Sequence, residues 1–308
     1  MNHYLILMRP KQWIKNLAVL VGPAFALTFD AMAMMRTGVV FAAFCLVSSA
    51  SYAVNDVLDR EADARHPIKK HRPLASGAIS PLGALVWAIA LLAAGVVLCA
   101  RLLPSTCVII ILGYFVMILA YSLALKRRMI LDVILIAVGF VLRATAGADA
   151  VGAFVSPWLI VCTFTLCMFM GFGKRRCEIA QFDSLEEAGR HRNTLLRYTP
   201  ELLNNLISVS AGITIVTFLL YTMDKDTPST FPKEHLMFTL PLVVYGVFRY
   251  SMLVQSGKMH GPMDIVLRDR PFQGTVVVWA LMAAAIMFED KWAEIEIVRG
   301  IIGEGVQP

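Results

Sequence analysis

Residues 55–77 read NDVLDREADARHPIKKHRPLASG, directly after an apolar run that ends at Ala53 and Val54. An uncharged run that stops abruptly in blocks of acids and bases is how a chain leaves a membrane. Asn55, Asp59 and Asp63 stand at i, i+4 and i+8, so on a helix they project from one face over about 12 Å. Four acids fall within the nine residues 55–63, and such a cluster repels itself unless a cation neutralises it. Carboxylate and amide oxygens in one stripe suit Mg2+, a hard ion that keeps waters and bridges to phosphates. The plainer alternative is a solvated helix end. The bases that follow, Arg65, Lys69, Lys70 and Arg72, weigh towards a metal–diphosphate site. In such a site carboxylates hold the metal, and cations neutralise the phosphate oxygens that the metal does not reach. His66-Pro67 ends the acidic helix, and Arg72-Pro73 with Gly77 turns the chain back towards the membrane.

The rest of the chain has the composition of a membrane protein. It has 308 residues, of which 58% are apolar and only 16% charged, with a mean hydropathy of +0.68. Apolar stretches near the length of a membrane helix recur throughout. Nine spans are expected, at roughly 14–30, 37–54, 81–100, 105–123, 130–148, 157–173, 202–222, 236–254 and 272–288. The expected fold is therefore an all-α polytopic bundle, one transmembrane domain over 1–308.

The connections between spans alternate in charge. The N-terminus and loops 55–80, 124–129, 174–201 and 249–271 carry 3, 5, 3, 6 and 4 Lys and Arg, 21 of the 28. The opposite side has 6, and Arg143 lies inside a span. By the positive-inside rule the basic loops are cytoplasmic, with the N-terminus inside and the C-terminus outside the membrane. The net charge of +6 is thus an orientation signal plus a reserve for a phosphorylated substrate, not a nucleic-acid footprint. The first residues lack the long apolar core and cleavage site of a signal peptide. They read as an interfacial segment, with Trp13 at headgroup level and Arg9, Lys11 and Lys15 facing anionic lipid or substrate. Six cysteines, mostly inside apolar runs and without metal-ligand spacing, read as small buried hydrophobes. The two long loops fall four spans apart, hinting at two related four-helix halves. A homo-oligomer is compatible with the sequence.

Three further constellations lie on the basic side. Lys126, Arg127 and Arg128 follow Tyr121, and Asp132 and Arg143 are eleven residues apart on one helical face. A charge inside a span marks either a site or an interhelical ion pair. Loop 174–201 opens with Lys174, Arg175 and Glu178, continues through Asp183, Glu186 and Glu187, and closes near Tyr198. Arg268, Asp269 and Arg270 could clamp a phosphate or simply end a span.

These residues resemble the UbiA superfamily of intramembrane prenyltransferases. NDVLDREAD matches its N-D-x-x-D-x-x-x-D motif, and nine spans with long loops after the second and sixth match its layout. RPKQWIKN at 9–16, residues 55–77, YSLALK at 121–126 with Asp132 and Arg143, GKRRCEI at 173–179 and LRDRPFQ at 267–273 look most like the decaprenyl-phosphate phosphoribosyltransferase branch. Ordinary members carry a second D-x-x-x-D box, whereas the matching loop here opens with Lys174, Arg175 and Glu178. Fewer acids and more bases suit phosphoribosyl pyrophosphate (PRPP), which has an additional 5-phosphate.

The resemblance implies transfer of 5-phosphoribosyl from PRPP to a polyprenyl phosphate, with release of diphosphate, for cell-wall arabinan synthesis. Mg2+ would sit on Asn55, Asp59 and Asp63, while Asp56 would stabilise positive charge at the reacting carbon. Lys15, Arg65, Lys69, Arg72, Tyr121, Lys126, Arg143, Tyr198 and Arg268 are candidate substrate contacts, and Lys174 and Arg175, with Glu178, candidates for the 5-phosphate region. The lipid phosphate is already ionised, so no strong general base is required. Two rivals remain: a prenyltransferase using a prenyl diphosphate and an aromatic acceptor, and an organic-anion transporter. A transporter would place ionisable residues near the membrane midplane, where here only Arg143 is expected.

Overall fold

The computed structural model describes residues 3–65, 69–182, 193–225, 231–257, 259 and 261–289. Every regular element among them is helical. In order these are α1 (His3–Met8), a 3-10 segment (Pro10–Leu20), α2 (Val21–Phe25), α3 (Ala31–Leu58), α4 (Arg60–Arg65), α5 (Pro81–Leu102), α6 (Ser105–Leu123) and α7 (Leu131–Ala150). Then follow α8 (Pro157–Ile179), α9 (Pro200–Met223), a 3-10 turn (Lys233–Thr239) running into α10 (Leu240–Gln255), α11 (Pro262–Arg268) and α12 (Arg270–Met287). Short 3-10 turns at Lys69–His71, Leu125–Arg127 and Asn193–Arg197 lie in the connections.

Polar residues followed by prolines set many helix starts. Ser80, Ser156 and Thr199 each accept a backbone N–H of the first turn, and a proline follows each directly. Proline at the first helical position loses no hydrogen bond, because that N–H has no intrahelical partner. Asp30 caps α3 through the N–H groups of Met32 and Ala33, both at 3.0 Å.

Eight helices among the described residues are long and apolar enough to cross a membrane. The expected first span, 14–30, is not one of them. Its residues form the 3-10 segment, α2 and a turn with Leu27 at φ 52°. The reason is a spacing of three. In a 3-10 helix residues i and i+3 eclipse, so Trp13, Asn16 and Val19 share one edge, and Gly22 follows at the start of α2. Trp13 Nε1 donates to Ser49 Oγ at 3.1 Å, Asn16 is 1% exposed and Val19 fully buried, and Gly22 lies against Ala148. A Cβ on Gly147 would stand 1.8 Å from the Val19 carbonyl oxygen, so here the backbones of α7 and the 3-10 segment touch.

The chain divides into two compact units, Met1–Val155 and Ser156–Pro308. In the first, α3 packs along α5 and also meets α6, α7 and the 3-10 segment. Its core is built on Val40, Phe44, Val47, Ile111 and Tyr114, with a second cluster on Leu7, Ala50, Ala53, Leu74 and Leu91. In the second unit α8 packs along α9, and α10 against α12. There Arg249 holds Asp269 through two bonds of 3.1 and 2.8 Å, while Asp269 also caps α12 by accepting Phe272 N–H at 2.8 Å. Asp224 accepts Ser156 Oγ at 3.0 Å and pairs with the buried Lys233 at 3.6 Å.

Candidate active site

The acidic stripe lies where α3 bends into α4. Asp59 ends α3 with φ −95° and ψ 5°. The ladder nevertheless continues across the bend: Asp59 N–H donates to the Asn55 carbonyl at 2.9 Å and Asp63 N–H to that of Asp59 at 2.8 Å. The acids part into two notches. Lys126 Nζ donates to Asp59 Oδ1 and Oδ2 at 2.6 and 2.8 Å and lies 3.4 Å from Asn55 Oδ1. Asp56 and Asp63, two helical turns apart, are joined by Arg72, whose Nη1 is 3.2 Å from Asp56 and 2.6 Å from Asp63. Arg9 also donates to Asp56, and Lys69 lies 3.9 Å from Asp63.

Burial follows the same division. Asp56 is 3% and Asp63 4% exposed, whereas the Asp59 side chain keeps 32% of its surface. Three carboxylates therefore face four cations, and the cations arrive from three stretches of chain. Arg9 comes from the N-terminus in a left-handed conformation, φ 54° and ψ 59°, with its guanidinium 5.1 Å from the Tyr52 ring centre. Lys69 and Arg72 come from the turn after α4, and Lys126 from the turn after α6.

Arg143 lies deeper in the first unit, on α7, and is 5% exposed. Its Nε donates to Asn16 Oδ1 at 2.8 Å, Nη1 to the Gly139 carbonyl at 2.6 Å and Nη2 to Tyr114 Oη at 2.7 Å. The rings of Tyr114, Phe140 and Phe44 stand 4.5, 5.5 and 5.6 Å from the guanidinium carbon. Among the described residues the partners of Arg143 are neutral, so the interhelical ion pair considered for it is not the arrangement found. Asp132 is itself fully buried near the start of α7.

The remaining candidates are scattered. Lys15 and Arg65 are exposed, and Tyr121 is half-buried at the end of α6. In the second unit Arg175 is 2% exposed and donates to Glu178 at 2.6 Å. Lys174, 54% exposed, is 3.8 Å from Glu178. Tyr198 is fully buried. Arg268 is 69% exposed and pairs with Asp264 at 2.6 Å, while Asp269 is held by Arg249. Asp183, Glu186 and Glu187 lie outside the described residues. Sequence reasoning missed the Arg9–Asp56 pair and the contact of Asn16 with Arg143. The threefold spacing of Trp13, Asn16, Val19 and Gly22 was the available signal for the second.

The model of the UbiA prenyltransferase family matches residues 16–264. The chain belongs to the UbiA prenyltransferase family. It is an integral membrane enzyme of that family, similar over most of its length to proteins of known name. The decaprenyl-phosphate phosphoribosyltransferase of Corynebacterium glutamicum is 31% identical over 288 residues, covering 91% of this chain and 86% of that protein. The protein of the same name from Mycolicibacterium smegmatis is 31% identical over 298 residues, covering 91% of each. A UbiA homolog from Archaeoglobus fulgidus, solved bound to DMAPP and Mg2+, superposes with a TM-score of 0.70 at 21% identity. That superposition covers 93% of this chain and 99% of that one, and it shows the UbiA fold.

The donor set of this UbiA member also bears on a metal. Among the described residues no three acids, histidines or cysteines converge on one point. A hard divalent ion of the Mg2+ type does not need such a cage, because it is commonly held by one or two carboxylates, waters and substrate phosphates. The oxygens of Asn55 and Asp59, already gathered around one ammonium, fit that mode.

Proposed function

We propose that this enzyme transfers the 5-phosphoribosyl group of PRPP to a polyprenyl phosphate and releases diphosphate, with a divalent metal of the Mg2+ type. The observation that carries the reading is the 31% identity, over 91% of the chain, to proteins named decaprenyl-phosphate phosphoribosyltransferase. The site at the α3–α4 bend supports it with the chemistry that a diphosphate leaving group demands.

In this reading the bond between ribose C1 and the diphosphate oxygen breaks, and a lipid phosphate oxygen bonds to C1. The lipid phosphate is anionic at neutral pH, so no proton has to be removed from the nucleophile. A bound metal supplies Lewis-acid neutralisation of the departing diphosphate. Asn55 and Asp59 hold it, with Asp63 one turn further on. Arg72, Lys69 and Lys126 bind the phosphate oxygens that the metal leaves uncovered. Asp56, capped by Arg9 and Arg72, orients those guanidiniums rather than reaching the reacting carbon. Arg143 serves as a positioning residue of the first unit. Within the second unit Lys174 is more accessible than Arg175, which is buried against Glu178. The basic loops face the cytoplasm, where PRPP is available, and the product serves as a lipid-linked precursor of cell-wall arabinan.

Membranes containing the enzyme and a polyprenyl phosphate should convert ribose-labelled PRPP into a lipid-extractable ribose phosphate, and Asp59→Asn should abolish this. Consumption of a prenyl diphosphate with no use of PRPP would show the donor to be wrong.

A further inference from the structure

We infer that Lys126 occupies the cation notch of Asn55 and Asp59 whenever the donor is away, so that metal and diphosphate bind together and neither binds well alone. This rests on the proposed metal–diphosphate site and adds to it a coupling between its two ligands.

The notch is the starting point. Both Asp59 oxygens and the amide oxygen of Asn55 converge on one ammonium, at 2.6, 2.8 and 3.4 Å. The same oxygens would ligate the metal, so Lys126 and the metal compete for one set of donors. Lys126 also comes from a fixed base. Four residues on, Ile130 has φ 69° and ψ −48°, and Leu131 N–H donates to the Met129 carbonyl at 2.8 Å. This is a γ-turn of positive φ, a conformation that β-branched residues rarely adopt and that persists only where the surroundings impose it. This constrained turn follows directly on the 3-10 turn Leu125–Arg127 that carries Lys126.

Charge then couples the two ligands. Asp56, Asp59 and Asp63 are already matched by Arg9, Arg72, Lys69 and Lys126. A divalent ion arriving alone must evict Lys126 and leave an ammonium without a counter-charge. A diphosphate arriving alone finds the cations committed to carboxylates. When both arrive, the metal takes the Asp59 oxygens and the released Lys126 turns to phosphate oxygens, so every charge keeps an opposite partner. The coupling is reciprocal: each ligand raises the affinity of the other by the same factor.

The test uses the purified full-length chain in lipid nanodiscs, with Mn2+ as a spectroscopic stand-in and protein-bound Mn2+ read by electron paramagnetic resonance. The wild type should bind Mn2+ weakly, and PRPP should raise that affinity by about ten-fold or more. Lys126→Met should bind Mn2+ about ten-fold more tightly than wild type without donor, since its competitor is gone, and should lose most of the gain from PRPP. Lys126→Arg should keep the coupling. Arg128→Met, an exposed cation of the same turn, should match wild type.

Equal Mn2+ affinity of wild type with and without any diphosphate would overturn the inference, and this needs no variant to fold. So would equal donor-free affinities of wild type and Lys126→Met. If inorganic diphosphate or dimethylallyl diphosphate raises Mn2+ affinity and PRPP does not, the donor assignment fails while the role of Lys126 stands.

Discussion

Arg143 Nε donates to Asn16 Oδ1 at 2.8 Å across 127 residues of chain, joining α7 to the 3-10 segment. Asn16 also points its amide nitrogen at Cys45 Sγ and Ser48 Oγ on α3, at 3.3 and 3.4 Å. One asparagine thereby ties three elements around a buried guanidinium. Asn16→Ala leaves a buried N–H of Arg143 without an acceptor, a loss that costs about 1–3 kcal/mol. Thermal unfolding in detergent should fall accordingly, and Asn16→Asp, which restores an acceptor, should recover part of it.

Arg72 bridges two buried carboxylates. Arg72→Met leaves Asp56 with Arg9 alone and Asp63 with a lysine at 3.9 Å. Removing one partner of a fully buried pair costs about 3–5 kcal/mol; the Arg72 side chain is 30% exposed, so about 1–3 kcal/mol is expected after solvent screening. The same variant should raise the KM for the donor more than it lowers kcat, because the guanidinium is proposed to hold phosphate in ground and transition states alike. Steady-state kinetics at saturating lipid acceptor checks this.

Gly147 is a packing requirement. A Cβ there would overlap the Val19 carbonyl at 1.8 Å, so Gly147→Ala must push the 3-10 segment off α7. Overpacking of this kind costs about 1–3 kcal/mol or more. By contrast, a Cβ at Gly113 within α6 meets nothing within 4 Å, and Gly113→Ala should be neutral or stabilise by about 0.5–1 kcal/mol. Paired thermal melts of the two variants decide the point.

Asp269 gives the second unit an acid-sensitive joint. Its hydrogen bonds from Arg249 hold its carboxyl below the usual carboxylate range, against the opposing effect of burial. A group whose folded value is depressed contributes stability above its unfolded value, about 3.9. That contribution is lost as pH falls through the lower folded value. Melting temperature measured from pH 6 down to pH 3 should drop in wild type through this region. Asp269→Asn should start lower and show less of the drop.

Much of the architecture was legible in the chain. Apolar length marked the spans from Ala31 to Met287, because the need to fill the membrane with apolar side chains acts along each helix by itself. The segment before Asp30 is not one continuous α-helix. Its apolar content satisfied the length rule, while its threefold contact edge becomes meaningful only beside Ser48, Ser49 and Gly147.

The candidate site divides in the same way. The sequence by itself determined that four acids and a run of bases gather at the end of α3, and that helical spacing puts Asn55 in register with Asp59. Which base meets which acid was decided by the tertiary structure alone. Lys126 reaches Asp59 across 67 residues, Arg9 reaches Asp56 across 47, and Arg143 finds the neutral Asn16 across 127. Local spacing fixes the direction of a side chain on its own helix; the packing of α6, α7 and the N-terminal segment around α3 determines which charge it meets there.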